Sequence, residues 1–442
     1  MIIRNAKIIT WGSNNQILEG QDLYVKDGLI EKVVSQGSST ESQEDVVDAH
    51  GQLLMPGNIC AHTHFYGAFS RGWGYPGEPA SNFVEILERL WWRLDKALSP
   101  EAVKYSALVC LADAIKYGTT TLFDHHASPS CIEGSLDLEH DAMVQAGLRG
   151  SLCYEVTDRD GREKALAGIG ENARFIDRVV MGQADPKIKA HFGLHASLTL
   201  SNETLDACVR ANNHHAGYHV HTAEGIADEA DSLAKYGKRV IKRFHDFGML
   251  GEKSILAHGV HCDPEELDLI AESGSWLSHQ PRSNMNNAVG VAPILDMLGR
   301  GIKVCLGNDG FSNAMWSEMQ AAYFIHKDHQ ADPRAMGGYD IMKLAIDNNS
   351  KLATQTVDGL PIGVIEPGAA ADLILVDYHP ITPMTAGNLP WHILFGFRDG
   401  MVTSTMVDGK WLMKDRELLT LDEAEIAAKA SEIAAQTWNK IR

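Results

Sequence analysis

Apolar and polar positions follow two different rhythms along this chain. The first 55 residues run in short β-rich stretches separated by turns: MIIRNAKIIT, then DLYVKDGLIEKVV with a turn at Asp27–Gly28, then VVDAHGQLLMPG. Each has the look of a half-buried strand. The same texture returns in ADLILVDY (371–378) and MVTSTMVDGKWLM (401–413). Two β-rich ends enclosing a long middle predict a small β-sandwich domain built from both termini, over 1–55 and 367–420. In the middle, short apolar runs alternate with helical stretches. The runs are NICAHTHF (58–65), TTTLFD (119–124), LRGSLCYE (148–155), IKAHFGLH (188–195), GYHVHTAE (217–224), SILAHG (254–259), SWLSHQ (275–280) and KVCLGND (303–309). Between the first two lies SPEAVKYSALVCLADAIKYG, with Ser99 as a helix N-cap and Gly118 as its C′ residue. Eight strand-then-helix units in about 270 residues predict an α/β chain with a (β/α)8 TIM barrel over 56–366. Segments 338–354 and 421–442 fall outside the count and are expected to pack on the outside as helices.

Composition narrows the class. The chain has 442 residues, 44% apolar and 22% charged, which is ordinary for a globular protein of one large and one small domain. Its 39 basic against 58 acidic residues leave a net charge of −19. Such a surface repels phosphate backbones and anionic lipid, so neither nucleic acid nor a membrane is an expected partner. A small neutral or cationic molecule fits better. No apolar run approaches the length that spans a bilayer. The opening strand-like run is broken by Arg4, Asn5 and Lys7 and does not read as a signal peptide. Seven cysteines, an odd number without a CxxC pair, read as small buried hydrophobes in a reducing cytoplasm.

In a TIM barrel, catalytic side chains sit at the C-terminal ends of strands, and the polar residues here obey that rule. The first run ends His62-Thr63-His64, and residues two apart on a strand share a face. The fifth ends His219-Val220-His221 with Glu224 beyond. The sixth ends at His258, the seventh at His279 and the eighth at Asp309. Neutral imidazoles with a carboxylate suit a borderline divalent cation such as Zn²⁺ or Fe²⁺, and three His with one Asp leave a coordination position for water. Such an ion lowers the pKa of its water toward neutrality, which leaves Glu224 free to move protons.

These residues carry a resemblance. MPGNICAHTHFYG with Arg71-Gly72, the HxHxxE of the fifth strand, the HG of the sixth, the HxPxSN of the seventh and the LGxDG of the eighth are similar to the amidohydrolase superfamily, in its aminohydrolase and chlorohydrolase branch. The segment IGVIEPGAAADLILVD (362–377) matches that family's return to its β-sandwich. LWWRLDKAL (90–98), FDHHASPSCIEGSLD (123–137) and RSNMNN (282–287) further resemble aminohydrolases encoded beside selenium-dependent purine-metabolism genes. The resemblance implies that His62, His64, His221 and Asp309 bind one divalent metal per chain, Zn²⁺ with Fe²⁺ as the other choice. His258 would bond the reacting oxygen or leaving group, Glu224 would deliver protons to a ring nitrogen, and Asp309 would take the water's proton. His279, His195 and Arg71 would contact substrate, with Arg282 a further candidate. The implied reaction is attack on an amidine-like carbon of a small N-heterocycle, purine-like, with release of ammonia. Relatives are commonly homodimers, so a homo-oligomer is implied too. Three departures stand out: Asn308 where relatives have Thr, HASLT (195–199) for the common HAPYT, and Gln280, expected at the rim, where Cys is frequent.

Other positions have competing readings. His125 and His126 are pocket wall or a loop pair, and Glu155 is a substrate contact or a surface ion pair. Trp91 and Trp92, at helical spacing with Leu87, Leu90 and Leu94, are read as core or dimer packing ahead of an aromatic box. Trp73 and Tyr75 in GWGYPGEP (72–79) stack on a planar ligand or anchor their loop. The alternative enzyme class is a binuclear cyclic-amide hydrolase, dihydroorotase- or hydantoinase-like. It needs a carboxylated Lys at the end of strand four, where this chain has His195. A non-catalytic metal-binding relative is the third reading, and the presence of both Glu224 and Asp309 counts against it.

Overall fold

The computed structural model describes residues 1–37, 46–74 and 77–441. Barrel strands one to eight are Asn58–Thr63, Thr119–Asp124, Arg149–Leu152, the paired segments Ile188–Ala190 and Phe192–Ala196, Tyr218–Thr222, Ile255–His258, Trp276–His279 and Lys303–Leu306. All neighbours run parallel. The strands are buried along almost their whole length. Parallel strands covered on both faces have no solvent side to alternate with, which is why they appear as continuous apolar runs. Strand four changes partner at His191, its first half on strand three and its second on strand five. The N–H of Val156 on Gly193 O (3.3 Å) and of His195 on Val156 O (3.0 Å) stitch this seam. Strand eight closes onto strand one through Asn308 N–H and Asp309 N–H, both donating to His62 O at 2.9 and 3.1 Å.

Two layers fill the barrel. Toward the N-terminal ends, Ile59, Ala61, Phe123, Ile255, Trp276 and Cys305 pack together over Leu352, Val357 and Ile362. The polar residues lie above this apolar floor. Outward-facing Leu122, Val220, Leu256, Leu277 and Val304 join the core shared with the surrounding helices. The helix Pro100–Lys116 shows how those helices are delimited. Ser99 accepts from Ala102 N–H, proline opens the first turn, and Gly118 follows the C-cap at φ +71°.

The chain ends meet in one continuous nine-stranded sheet. Its order is Glu417–Leu418, Lys410–Lys414, Val402–Val407, Leu373–Val376, Leu53–Pro56, Ile2–Ile9, Ile17–Lys26 and Leu29–Ser35, with Val46–Asp48 also beside Ile2–Ile9. Asp27 and Gly28, at φ +50° and +80°, make the two-residue hairpin that joins Lys26 to Leu29. The sheet wraps its own core of Ile3, Ile8, Leu23, Ile30, Leu54, Leu373 and Met406. The helix Glu423–Ile441 lies on the outside, with Ala430 and Ile433 packed on Leu94, Leu98 and Val103.

Barrel and sheet are tied by a buried ion pair. Arg149, at the start of strand three, holds Asp372 through Nε (2.7 Å) and Nη2 (3.2 Å), and Asp408 N–H donates to the same carboxylate at 2.8 Å. Removing one member of such a pair strands the other charge in a low-dielectric interior. Asp372→Ala should therefore lower the unfolding free energy by about 3–5 kcal/mol, measured by urea denaturation.

Candidate active site

Three imidazoles and one carboxylate meet above the apolar floor. The ligand-capable atoms of His62, His64, His221 and Asp309 lie within 4.8 Å of one another. Asp309 Oδ1 is 2.9 Å from His64 Nε2 and 3.4 Å from His62 Nε2, and His221 Nε2 is 3.2 Å from His64 Nε2. The opposite ring nitrogens are already committed. His64 Nδ1 donates to His125 O (2.5 Å) and His221 Nδ1 to His195 O (3.0 Å), while His62 Nδ1 and His219 Nε2 share a hydrogen bond at 2.9 Å. Each ring therefore presents Nε2 to the shared point, and at His64 and His221 the carbonyl partner fixes the tautomer. Ser283 Oγ donates to the other Asp309 oxygen, Oδ2.

The electrostatics of this cluster call for a cation. His62 Nε2 is buried and has no hydrogen-bond partner. Burial pushes the His62 ring down to about 3, and drives His221 well below its usual range. Burial works against His64 too, but its hydrogen bond to Asp309 and the charges of Asp309, Glu155 and Asp124 carry it up to about 10. The Asp309 carboxyl, in spite of burial, is held well below the usual range by His62 and His64. Asp309 thus draws positive charge while His62 and His221 are held neutral, and a divalent ion would satisfy the orphaned nitrogen and the carboxylate together. A second donor set overlaps it, His64, His125, Glu155 and His221. His64 and His221 each have one free nitrogen, so an ion there would take ligands from the first position.

Glu224 and His258 stand beside this point. Glu224 Oε2 is 3.5 Å from His258 Nε2, a buried nitrogen without a hydrogen-bond partner. Burial pushes the Glu224 carboxyl up to about 7, against the pull of His258 and with the help of Asp309's charge. A carboxyl near neutrality both gives and takes protons at working pH. The backbone is left-handed at Ala223 (φ +46°), His258 (φ +75°) and Asp309 (φ +58°). Such conformations are costly for side-chain-bearing residues and concentrate where a side chain must be aimed.

The cluster opens into a cleft of about 600 Å³, open solvent at its mouth included. Trp91, Trp92, Tyr66, Phe83, Leu87 and Leu198 supply its apolar wall. The polar lining is His64, His195, His221, Asn287, Asp95, Glu155, Glu224, Asp228 and Asp309, with no Lys or Arg among the described residues. The two indoles line the cleft, and Trp91 also packs on the core of Tyr66, Phe69 and Leu94, so the core-packing reading holds for it beside the cleft-lining one. A widened π-type turn covers Leu87–Trp91 inside the helical run 83–97. Phe83, Leu87, Trp91 and Asp95, four residues apart, all reach the cleft. The wall rests on glycines: a Cβ at Gly310 would lie 2.9 Å from the Trp91 ring, and one at Gly225 2.7 Å from the Phe83 ring.

The remaining candidates divide. His195 lines the cleft, with Nδ1 on Thr199 Oγ1 (2.7 Å). Glu155, no surface residue, is buried beneath the cleft, 3.1 Å from His125 Nδ1 and 3.3 Å from His64 Nδ1. His125 turns inward and bonds His219 O (2.9 Å), whereas His126 turns away to Ser128 and Glu139. Arg71 is not brought to the cluster: it is exposed, pairs with Asp113 at 3.0 Å and lines a separate surface depression. His279 is buried but faces outward with Leu277, because Trp276 and Ser278 take the inward positions of a period-two strand. Its Nε2 meets His326 Nε2 at 3.1 Å on an outer helix. Arg282 braces the loop after strand eight, through Ser312 O (2.7 Å) and Glu318 Oε1 (3.0 Å). Gln280 does more than line a rim, since its Oε1 accepts from His258 N–H (3.1 Å). Trp73 is half-buried and does not line the cleft, and Tyr75 lies outside the described residues.

Comparison with known proteins places this geometry. Residues 53–412 match the amidohydrolase family. A 5'-deoxyadenosine deaminase of Methanosarcina barkeri is 30% identical over 448 residues, spanning 100% of this chain and 99% of its own. A 5-methylthioadenosine/S-adenosylhomocysteine deaminase of Syntrophomonas wolfei is 30% identical over 454 residues, spanning 100% of both. Among solved structures, an adenosine deaminase from Xanthomonas campestris with bound zinc shares the fold at a TM-score of 0.86 and 23% identity, over 99% of this chain and 98% of that one.

Two substitutions check the placement. His62→Ala should lose bound metal by elemental analysis, and undiminished metal would remove His62 from the centre. Arg71→Ala should keep metal and turnover within about twofold of wild type, as for a surface change away from any special feature.

Proposed function

The chain belongs to the amidohydrolase family, and we propose that it acts as a metal-dependent aminohydrolase on an unphosphorylated, purine-like N-heterocycle, releasing ammonia. The observation that carries this reading is the convergence of three Nε2 atoms and Asp309 beside a Glu224 carboxyl poised near neutrality. His62, His64, His221 and Asp309 would hold a divalent cation, which would supply Lewis-acid activation of water at neutral pH. Asp309 is the acceptor for the proton that water loses. Glu224 protonates the ring nitrogen next to the attacked carbon. Water's oxygen bonds that carbon, the bond to the exocyclic nitrogen breaks, and the amine leaves as ammonia with the proton held by Asp309, while the hydroxyl left on the carbon gives its proton to Glu224 as the carbonyl forms. His258 Nε2 faces Glu224 and would bond the reacting oxygen or the leaving group, and His195 would offer its ring to the substrate.

The cleft supports the substrate class. Indoles favour a flat ring, and a lining rich in carboxylates without Lys or Arg disfavours phosphate. The relatives named as deaminases of adenine nucleosides point to the same chemistry. We take the metal to be one ion per chain, with zinc as the first choice over iron, because the second donor set shares His64 and His221. The end of strand four supports this too: it carries His195, while Lys189 sits at the other end on Asp358 (2.8 Å). That leaves a cyclic-amide hydrolase without its bridging lysine. We also propose a cytoplasmic homodimer. Seven free cysteines fit a reducing compartment, among the described residues no helix is long and apolar enough to cross a membrane, and Phe324, Phe395, Trp391 and Tyr339 expose aromatic surface.

Metal-loaded enzyme should release ammonia from at least one of adenosine, 5'-deoxyadenosine, methylthioadenosine, adenine or guanine, and none from AMP. Silence on this panel with hydrolysis of dihydroorotate or hydantoin would replace the reading by the cyclic-amide one. Glu224→Gln should keep its metal and lose roughly 10²–10⁴-fold in turnover; full activity would end its role as proton carrier.

A further inference from the structure

One short stretch of chain touches Asp309, His258 and Glu224 together. The helix Pro281–Asn286 begins directly after strand seven. From it, Ser283 Oγ donates to Asp309 Oδ2, and Asn284 Oδ1 accepts from His258 Nδ1 at 2.8 Å. At its end stands Asn287, which is buried and lines the cleft. Its Nδ2 lies 3.3 Å from Glu224 Oε1 and 3.3 Å from Ser283 Oγ. Its own backbone N–H is fixed on Ser283 O at 2.8 Å. Ser283 and Asn287 are four apart, so one helical face carries both. Among the described residues, Asn287 gives Glu224 its one hydrogen bond.

Glu224 and Asp309 are two acidic groups crowded into one buried site, and left alone they would turn their oxygens apart. The Asn287 amide nitrogen can only donate. It pins Oε1 and leaves Oε2 toward His258. We propose that Asn287 is a positioning residue for the reaction: it holds the Glu224 carboxyl at a fixed distance from Asp309 by bridging to Ser283, so that the two carboxylates keep one mutual geometry through the proton transfers. This rests on the reading of Glu224 as the proton carrier.

The test compares Asn287→Ala, Asn287→Asp and Asn287→Ala in the Glu224→Gln background, all metal-loaded. Alanine should lower kcat about 10- to 100-fold, with KM within twofold and with metal content and melting temperature unchanged. Asp keeps the shape but sets an acceptor against an acceptor, so it should be worse than Ala. If shape alone mattered, Asp would be the milder change, and that order overturns the proposal. A raised KM with unchanged kcat also overturns it, since Asn287 would then be a substrate contact. In the Glu224→Gln background the alanine effect should vanish, and an undiminished effect counts against the bridge. Independently of turnover, the ¹³C carboxyl resonance of Glu224, assigned by its loss in Glu224→Gln, should shift in Asn287→Ala. An unmoved resonance overturns the proposal even if no panel substrate reacts, whereas a shifted one with no reaction faults the function alone.

Discussion

The arrangement of this protein depends on a simple constraint on imidazole: a neutral ring has one nitrogen that donates and one that accepts. At His64 and His221 a donor is consumed by the carbonyls of His125 and His195, and at His62 Nδ1 is taken up by the ring of His219. Those carbonyls belong to neighbouring barrel segments, so the parallel strand register itself decides which nitrogen is left free. The acceptors point inward together because the barrel closes. Tilting one ring out of the cluster would break a bond to the framework as well as a contact at the centre.

Much of this was legible in the amino-acid order, and the limits have physical causes. Parallel strands covered on both sides are continuous apolar runs, so their number and positions stood out, as did the His and Asp residues that end them. What the runs could not show is which way an end residue turns. His279 follows the alternation of its strand outward to His326, whereas His258 adopts a left-handed backbone and turns toward Glu224. Both sit at strand ends and look equivalent in one dimension. Arg71 likewise matched a family position, yet a nearby Asp113 on a helix gives it a partner at the surface. Gln280 and Asn287 gave a weaker signal, since their roles consist of hydrogen bonds to residues far away in the chain.

The aromatic wall was only half legible for a different reason. Phe83, Leu87 and Trp91 recur every four residues, and such spacing shows that a helix has an apolar side without showing that a cleft as well as core lies against it. The result is a hydrophobic surface close to Gly225 and Gly310, the residues following Glu224 and Asp309. The aromatic surface therefore lies close to the backbone beside both carboxylates. In the proposed reaction, a side chain at either glycine would act on ring binding and on proton transfer at once.

The nine-stranded sheet carries a consequence for how the chain is made. Leu53–Pro56 needs Leu373–Val376 as its outer neighbour, and that partner leaves the ribosome about 300 residues later. At ordinary synthesis speeds the wait is roughly half a minute. During this time the N-terminal strands present an open edge, the kind of surface that recruits unrelated strands. The barrel's eight strands emerge in the interval, but the core around them also takes in Ile374, Val376, Val402 and Leu412 from the late strands. Sealing the sheet and completing the barrel's outer core are thus one late event built into the threading of the chain, and a copy stalled before Leu373 would leave both open.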